Sequence, residues 1–276
     1  MRSLLSLLLA VLLVLGSAIP SALAAAAVPE GFDAAEVSVP SSFQRALAAS
    51  REGRFGDALP LWNQVLERAP SAAAWSNRGN VRLALGDPEG AIADQEQAMA
   101  LEPDNNDPHL NRGVAEEALG QWTAAADDYR WILERDPDDP SALYNLGNVK
   151  GSLADWEGAR RCFQAAALAR PSFALARSSA ALTAFQLGEL EEAERELRNL
   201  IRRYPLFADA RAGLTALLWR RGARGEAESH WAAASGLDSR YRQRDWLLHI
   251  RRWPPEPVEA LAQFLDLSPA PTASPR

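Results

Sequence analysis

The chain has 276 residues, 47% of them apolar, and a formal net charge of −7. That length fits one ordinary domain or one repeat array with ample material for a core. The negative balance argues against general nucleic-acid binding, and the single cysteine, Cys162, excludes an intramolecular disulfide.

Arg2 gives the chain a positive start, and Leu4 to Leu15 is apolar apart from Ser6. Ala22-Leu23-Ala24 then places small residues where a signal peptidase reads them. Residues 1–24 are predicted to be a signal peptide cleaved after Ala24, with Ala26 as the second choice. The apolar run is shorter than the roughly 20 residues of a membrane span, so an uncleaved anchor is the alternative reading. No cysteine follows, which excludes a lipoprotein anchor. Residues 25–41, with Pro29, Gly31 and Pro40, read as a linker.

A repeated unit then begins. Its clearest copy, Trp75 to Pro103, reads as two short amphipathic helices hinged at Gly86-Asp87. A small residue recurs at Ala58, Ala91, Ala125, Ala159, Ala193 and Ala227, in steps of 33 or 34. A proline follows twelve residues after each of the first five, at Pro70, Pro103, Pro137, Pro171 and Pro205. A fixed period near 34 with two helices per period predicts an all-α helical-repeat solenoid. The repeats fall at 42–71, 72–105, 106–139, 140–173, 174–207 and 208–239, six in all, the outer two degenerate.

Beyond the array, Trp246, Ile250 and Trp253 share one helical face, as do Val258, Leu261, Phe264 and Leu265. Residues 240–267 are therefore predicted to be a helical cap over the exposed core of the last repeat. Residues 268–276, rich in Pro, Ser, Ala and Thr, are predicted to be disordered. Charge is uneven: residues 25–194 carry 14 basic and 27 acidic side chains, residues 195–252 carry 13 and 6. The pairs Arg202-Arg203, Arg220-Arg221 and Arg251-Arg252 fall at helix ends. There they either complement the helix dipole or form a basic docking face for an acidic partner.

The unit resembles the tetratricopeptide repeat. With Trp75 as position 4, position 8 is Gly79, Gly113 and Gly147, position 15 is glycine in all but Ala154, and position 24 is bulky, as at Trp62, Tyr129, Phe163 and Trp231. Small residues at 8 and 20 allow close helix approach, glycine at 15 ends the first helix, and proline at 32 stops the second. The resemblance implies a right-handed α-solenoid whose first helices line a concave groove through positions 2, 5, 6, 9, 12 and 13. Those positions hold Asn77, Asn80, Asn111, Tyr144, Asn145 and Asn148. A column of amides can bond the backbone of an extended peptide, so the five asparagines, with Tyr144 among them on the groove face, are the candidate peptide-binding residues; bonds within the repeat are the competing use. The lysine and arginine set of a carboxylate clamp is missing. The run Asp245-Trp-Leu-Leu-His-Ile-Arg-Arg-Trp-Pro-Pro255 is similar to the C-terminal signature of a cyanobacterial and chloroplast thylakoid-lumen repeat family, which implies a lumenal or periplasmic setting.

Catalytic signals are poor. His109, His230 and His249 have no metal-spaced partners, and Asp104 to Asp107 and Asp136 to Asp139 sit in turns, where such residues cap helices. No cofactor and no metal are expected. The sequence predicts a non-enzymatic, exported scaffold for protein–protein interaction in the periplasm or thylakoid lumen. It would grip a protein or peptide segment, touch membranes at most peripherally, and serve assembly or maintenance of membrane complexes. A self-associating, envelope-organising protein is the alternative.

Overall fold

The computed structural model describes residues 39–267. The predicted signal peptide, most of the predicted linker and the predicted tail lie outside the described residues. Among the described residues every regular element is helical, and the chain divides between Ile132 and Leu133 into two compact units.

The first unit contains α1 (Val39–Arg51), α2 (Phe55–Arg68), α3 (Ala72–Ala84), α4 (Pro88–Leu101), α5 (Asn106–Ala118) and α6 (Trp122–Leu133), whose last residue lies just past the division. The second contains α7 (Pro140–Ser152), α8 (Trp156–Ala169), α9 (Ala174–Gln186), α10 (Leu190–Arg203), α11 (Ala208–Arg220) and α12 (Arg224–Leu237). A 3-10 turn (Ser239–Arg242), a π-helical turn (Trp246–Ile250) and α13 (Pro255–Leu267) complete it. The first helix begins at Val39, inside the stretch read as linker.

Turn chemistry sets the helix starts. Ser71, Asp87, Asn105, Asp139 and Asp155 each accept a bond from a backbone N–H in the first turn of the helix that follows. The acidic turns thus serve as caps. Each first helix ends in a left-handed residue: Gly53, Gly86, Gly120, Gly188 and Gly222 have φ between 72° and 86°, and Ala154 adopts φ 60° despite its Cβ.

Within a repeat, position 24 packs directly on position 8. A Cβ on Gly113 would sit 2.7 Å from the Tyr129 ring, and one on Gly147 would sit 2.6 Å from Phe163. Ala58, Ala125, Ala159, Ala193 and Ala227 at position 20 are fully buried. Close helix contact therefore rests on these small side chains, with an aromatic filling the space they leave. Trp62 anchors the first repeat: its ring meets Phe43 edge-on and its Nε1 donates to Ser50 Oγ at 2.9 Å.

The C-terminal segment differs in form from the cap expected. Trp246 to Ile250 is a π-helical turn, and the segment is not confined to the last repeat. α13 packs on α11 and also on α9, with Phe264 edge-on to Trp219 and Trp231.

Candidate functional site

Of the amides read as a peptide-gripping column, three lie in the first unit. Asn77 Nδ2 donates to the Ala73 carbonyl of its own helix at 2.7 Å. Asn80 Oδ1 accepts from Gln95 Nε2 at 3.3 Å, within its repeat. Asn111 Nδ2 reaches across to Ser76 Oγ at 3.1 Å, linking the first helices of consecutive repeats. All three remain partly exposed. In the second unit Asn148 is half-buried, whereas Tyr144 and Asn145 are buried. The Tyr144 ring lies between Phe163 and Phe173, with centroids at 5.4 and 5.1 Å.

What reaches Tyr144 is the end of the chain. Arg251 Nη1 lies 3.5 Å from both the Tyr144 hydroxyl and Ser179 Oγ, while its Nε and Nη2 donate to the two oxygens of Asp209 at 2.7 and 2.6 Å. Tyr241 Oη and Trp253 Nε1 donate to Asp209 Oδ1 at 2.9 and 3.0 Å, and Ser178 donates to Oδ2. Every member is at least nine-tenths buried. The backbone N–H of Glu256 donates to Gln186 Oε1 at 2.9 Å. Asp209, Tyr144, Ser178, Ser179 and Gln186 occupy positions 2, 5, 5, 6 and 13, so the segment lies along the face predicted to line the groove.

Burial alone would raise the Asp209 pKa, yet the Arg251 charge and the donors around the carboxylate hold it below the usual range. Burial and the Asp209 charge push the Tyr241 phenol well up, so it stays a donor. Arg251, placed by its sequence on a basic docking face, is therefore inside the molecule. The acid that pairs with that buried guanidinium is Asp209, and removing both from water is tolerable only as a pair.

The other arginines of that expected face vary. Arg220 meets Glu256 at 3.3 Å, and Arg221 meets Glu194 at 2.9 Å and Glu191 at 3.4 Å. Arg202 donates to Asn199, and Arg203 lies over the Tyr204 ring at 5.5 Å. Arg252 is half-buried with φ 56°. Much of the basic excess is matched by acids on neighbouring helices, as in Arg198 with Glu226 at 2.6 Å and Arg160 with Glu192 at 3.0 Å.

The first unit buries its ions differently. Arg78 clasps Asp94 with Nε at 2.8 Å and Nη2 at 2.7 Å, and Arg82 adds a contact at 2.8 Å. One repeat later Arg112 clasps Asp128 in the same way, and His109, stacked on Trp131 at 3.6 Å, brings Nδ1 within 2.8 Å of that carboxylate. These pairs join positions 7 and 23 and tie the two helices of a repeat together. Beside them Glu116 is buried, its Oε2 has no hydrogen-bond partner among the described residues, and burial followed by the Asp128 charge raises its pKa to about 7.

Sequence reading missed both arrangements. The first was visible as the recurrence of Arg and Asp at positions 7 and 23, at Arg78 and Asp94 and again at Arg112 and Asp128. The second had a fainter signal: Asp209 is an acid inside a helix otherwise free of acids, in the basic part of the chain. Elsewhere, Cys162 is half-buried and its thiol pKa is raised by burial. Among the described residues no group of three or more His, Cys, Asp or Glu is placed to hold a metal ion. No helix among them is long and apolar enough to cross a membrane.

A tetratricopeptide repeat family model matches residues 43–108, 110–150, 150–197 and 178–240. Solved structures share the fold. A chain of the APC/C hetero-tetramer Cut9-Hcn1 has a TM-score of 0.65 at 16% identity over 82% of this chain, which spans only 42% of that chain. A tetratricopeptide repeat protein from Parabacteroides merdae ATCC 43184 has 0.59 at 18% identity, covering 82% of this chain and 98% of that one. YrrB, a repeat protein with an unusual peptide-binding site, has 0.50 at 19% identity, covering 64% and 92%. No curated protein matches the chain. With helical pairs in steps of 33 or 34 residues, small residues at positions 8 and 20, and a family model that spans most of its length, the chain belongs to the tetratricopeptide repeat family.

Proposed function

We propose that the chain is an exported scaffold that holds a segment of a partner protein along the face of its first helices. The observation that carries this reading is the seating of residues 241–256 on that face in the second unit, where Asp209, Ser178 and Gln186 hold a segment of the chain itself. A surface that takes such a segment in one unit is suited to take one in the other, where Asn77, Asn80 and Asn111 are partly exposed. The peptide-binding site named for YrrB belongs to that protein and supports the reading by fold alone. The start of the sequence, with Arg2, the Leu4 to Leu15 run and Ala22-Leu23-Ala24, supports export and cleavage after Ala24. The similarity of the Asp245 to Pro255 run supports a periplasmic or thylakoid-lumen setting and a role in assembly or maintenance of membrane complexes.

The test is affinity capture with the mature chain from its native compartment, followed by titration of the captured partner. Replacing Asn77, Asn80 and Asn111 together by Ala should weaken binding at least tenfold; an unchanged affinity removes this face as the site. Self-association is the second reading. Sedimentation of the mature chain between about 1 and 100 μM separates the two, because a monomer throughout removes the second.

A further inference from the structure

The seat of Arg251 and Trp253 is built from one register of the repeat. Asp209 is position 2 of its unit, and Ser178 and Ser179 are positions 5 and 6 of the unit before. The same register recurs three repeats earlier, where position 2 is Asp107 and the preceding repeat supplies Ser76 and Asn77. Asn111 stands one turn beyond Asp107 on α5, so these two share a face. Its 3.1 Å bond to Ser76 brings that face beside α3 at the level of Ser76. Asp107 is exposed and Asn77 partly so, while Ser76 forms the floor at 9% exposure.

Charge favours a cationic guest. Residues 39–132 carry 8 basic and 14 acidic side chains, and three of those bases, Arg78, Arg82 and Arg112, are turned inward onto Asp94 and Asp128. Glu102, Asp104 and Asp107 on α5 and the turn before it are exposed, as is Glu96 on α4, which Arg112 reaches at 3.9 Å.

We propose that this part of the first unit binds a partner segment carrying arginine and, two residues on, an aromatic, the spacing of Arg251 and Trp253. The arginine pairs with Asp107, the aromatic lies against Ser76 and Leu110, and the amides of Asn77 and Asn80 take the guest's backbone. This rests on the reading that first helices hold a peptide, and it specifies the chemistry of that peptide. In the second unit the pair is sealed from water and held by five hydrogen bonds to one carboxylate, which makes it permanent. Around Asp107 the pair stays wet, so the contact is reversible and salt-sensitive.

The probe is a fluorescein-labelled peptide with the sequence of residues 244–255, titrated with the mature full chain by anisotropy. Asp107→Asn should weaken binding about tenfold, and glutamine in place of the peptide arginine that corresponds to Arg251 should do the same. The two changes together should cost little more than either. Raising salt from about 50 to 200 mM should weaken the parent complex. Asp107 is exposed, so an unchanged melting temperature verifies that its variant folds. Equal affinity for Asp107→Asn overturns the proposal, including the case in which the peptide displaces the chain's own segment at Asp209. If an arginine-free peptide binds as well and is lost only on replacing Asn77, Asn80 and Asn111, the groove reading survives and the arginine requirement does not. Failure of every peptide to bind at millimolar concentration sinks the arginine proposal, while the groove reading is then decided by the captured partner.

Discussion

The two units follow one 34-residue pattern but place their buried charge in different seams. In the first, Arg78 with Asp94 and Arg112 with Asp128 lock the two helices of a single repeat. In the second, the corresponding positions 7 are Leu146, Ala180 and Leu214, and the buried pair joins Asp209 to the end of the chain through Arg251. A repeat needs shape at positions 8, 20 and 24; whether the seam beside them is ionic or apolar is left free by the backbone. The first unit uses its ions to close hairpins, and the second uses them to attach a segment that covers its inner face.

The largest expected effect tests the second unit. Asp209→Asn leaves the Arg251 guanidinium buried without a counter-charge and should cost about 3–5 kcal/mol. Urea denaturation reads the cost, and hydrogen exchange should show lost protection over residues 174–267 with residues 39–132 unaffected. Pairing Asp209→Leu with Arg251→Met should recover much of the loss. A cost below about 1 kcal/mol would mean that the cluster contributes little and that the contrast between units fails.

In the first unit Asp128→Asn should cost about 1–3 kcal/mol, less than Asp209→Asn, because the Arg112 side chain keeps 25% of its exposure and can recover hydration. A loss as large as that at Asp209 would show that the intra-repeat clasps are the stronger device. Next comes Glu116, whose pKa rises from an ordinary carboxyl value to about 7. The folded state then holds a proton that the unfolded chain has released, so stability falls as pH rises from about 4.5 to 7 and is level above. Glu116→Gln should therefore raise stability at pH 8 by about 1–3 kcal/mol and leave it unchanged at pH 4. A pH-independent difference in melting temperature would contradict this.

The smallest effect concerns Ala154, the one left-handed position of its kind that lacks glycine. Ala154→Gly should stabilise the second unit by about 0.5–1 kcal/mol, since relief of Cβ strain outweighs the added chain entropy. In a chain of this size that is a rise of roughly 1–4 °C in melting temperature.

The architecture was legible in the sequence because its determinants repeat in phase. A lone glycine at 86 or proline at 103 says little, but Gly53 to Gly222, recurring in step and broken only by Ala154, mark the hinges. The site was harder to read. Asn77, Asn80 and Asn111 were found as a column, but which partner an amide selects depends on the side chain one helix away, as with Gln95 for Asn80 and Ser76 for Asn111. Arg251, read from the sequence as a helix-end cation or part of a basic docking face, follows directly on the π-helical turn and pairs with an acid 42 residues upstream. Unlike the Arg–Asp pairs at positions 7 and 23, an ion pair made once, outside the repeat, leaves no periodic trace.

The gathering of Tyr144, Ser178, Ser179 and Asp209 around Arg251 also orders events in time. Synthesis proceeds from the amino end, so these four residues emerge before the guanidinium that completes their site. Until residues 251–253 follow, the half-built second unit contains a carboxylate with a place in the interior and no cation to accompany it. A chain cut short before that point would leave the Asp209 carboxylate without the guanidinium that pairs with it in the interior.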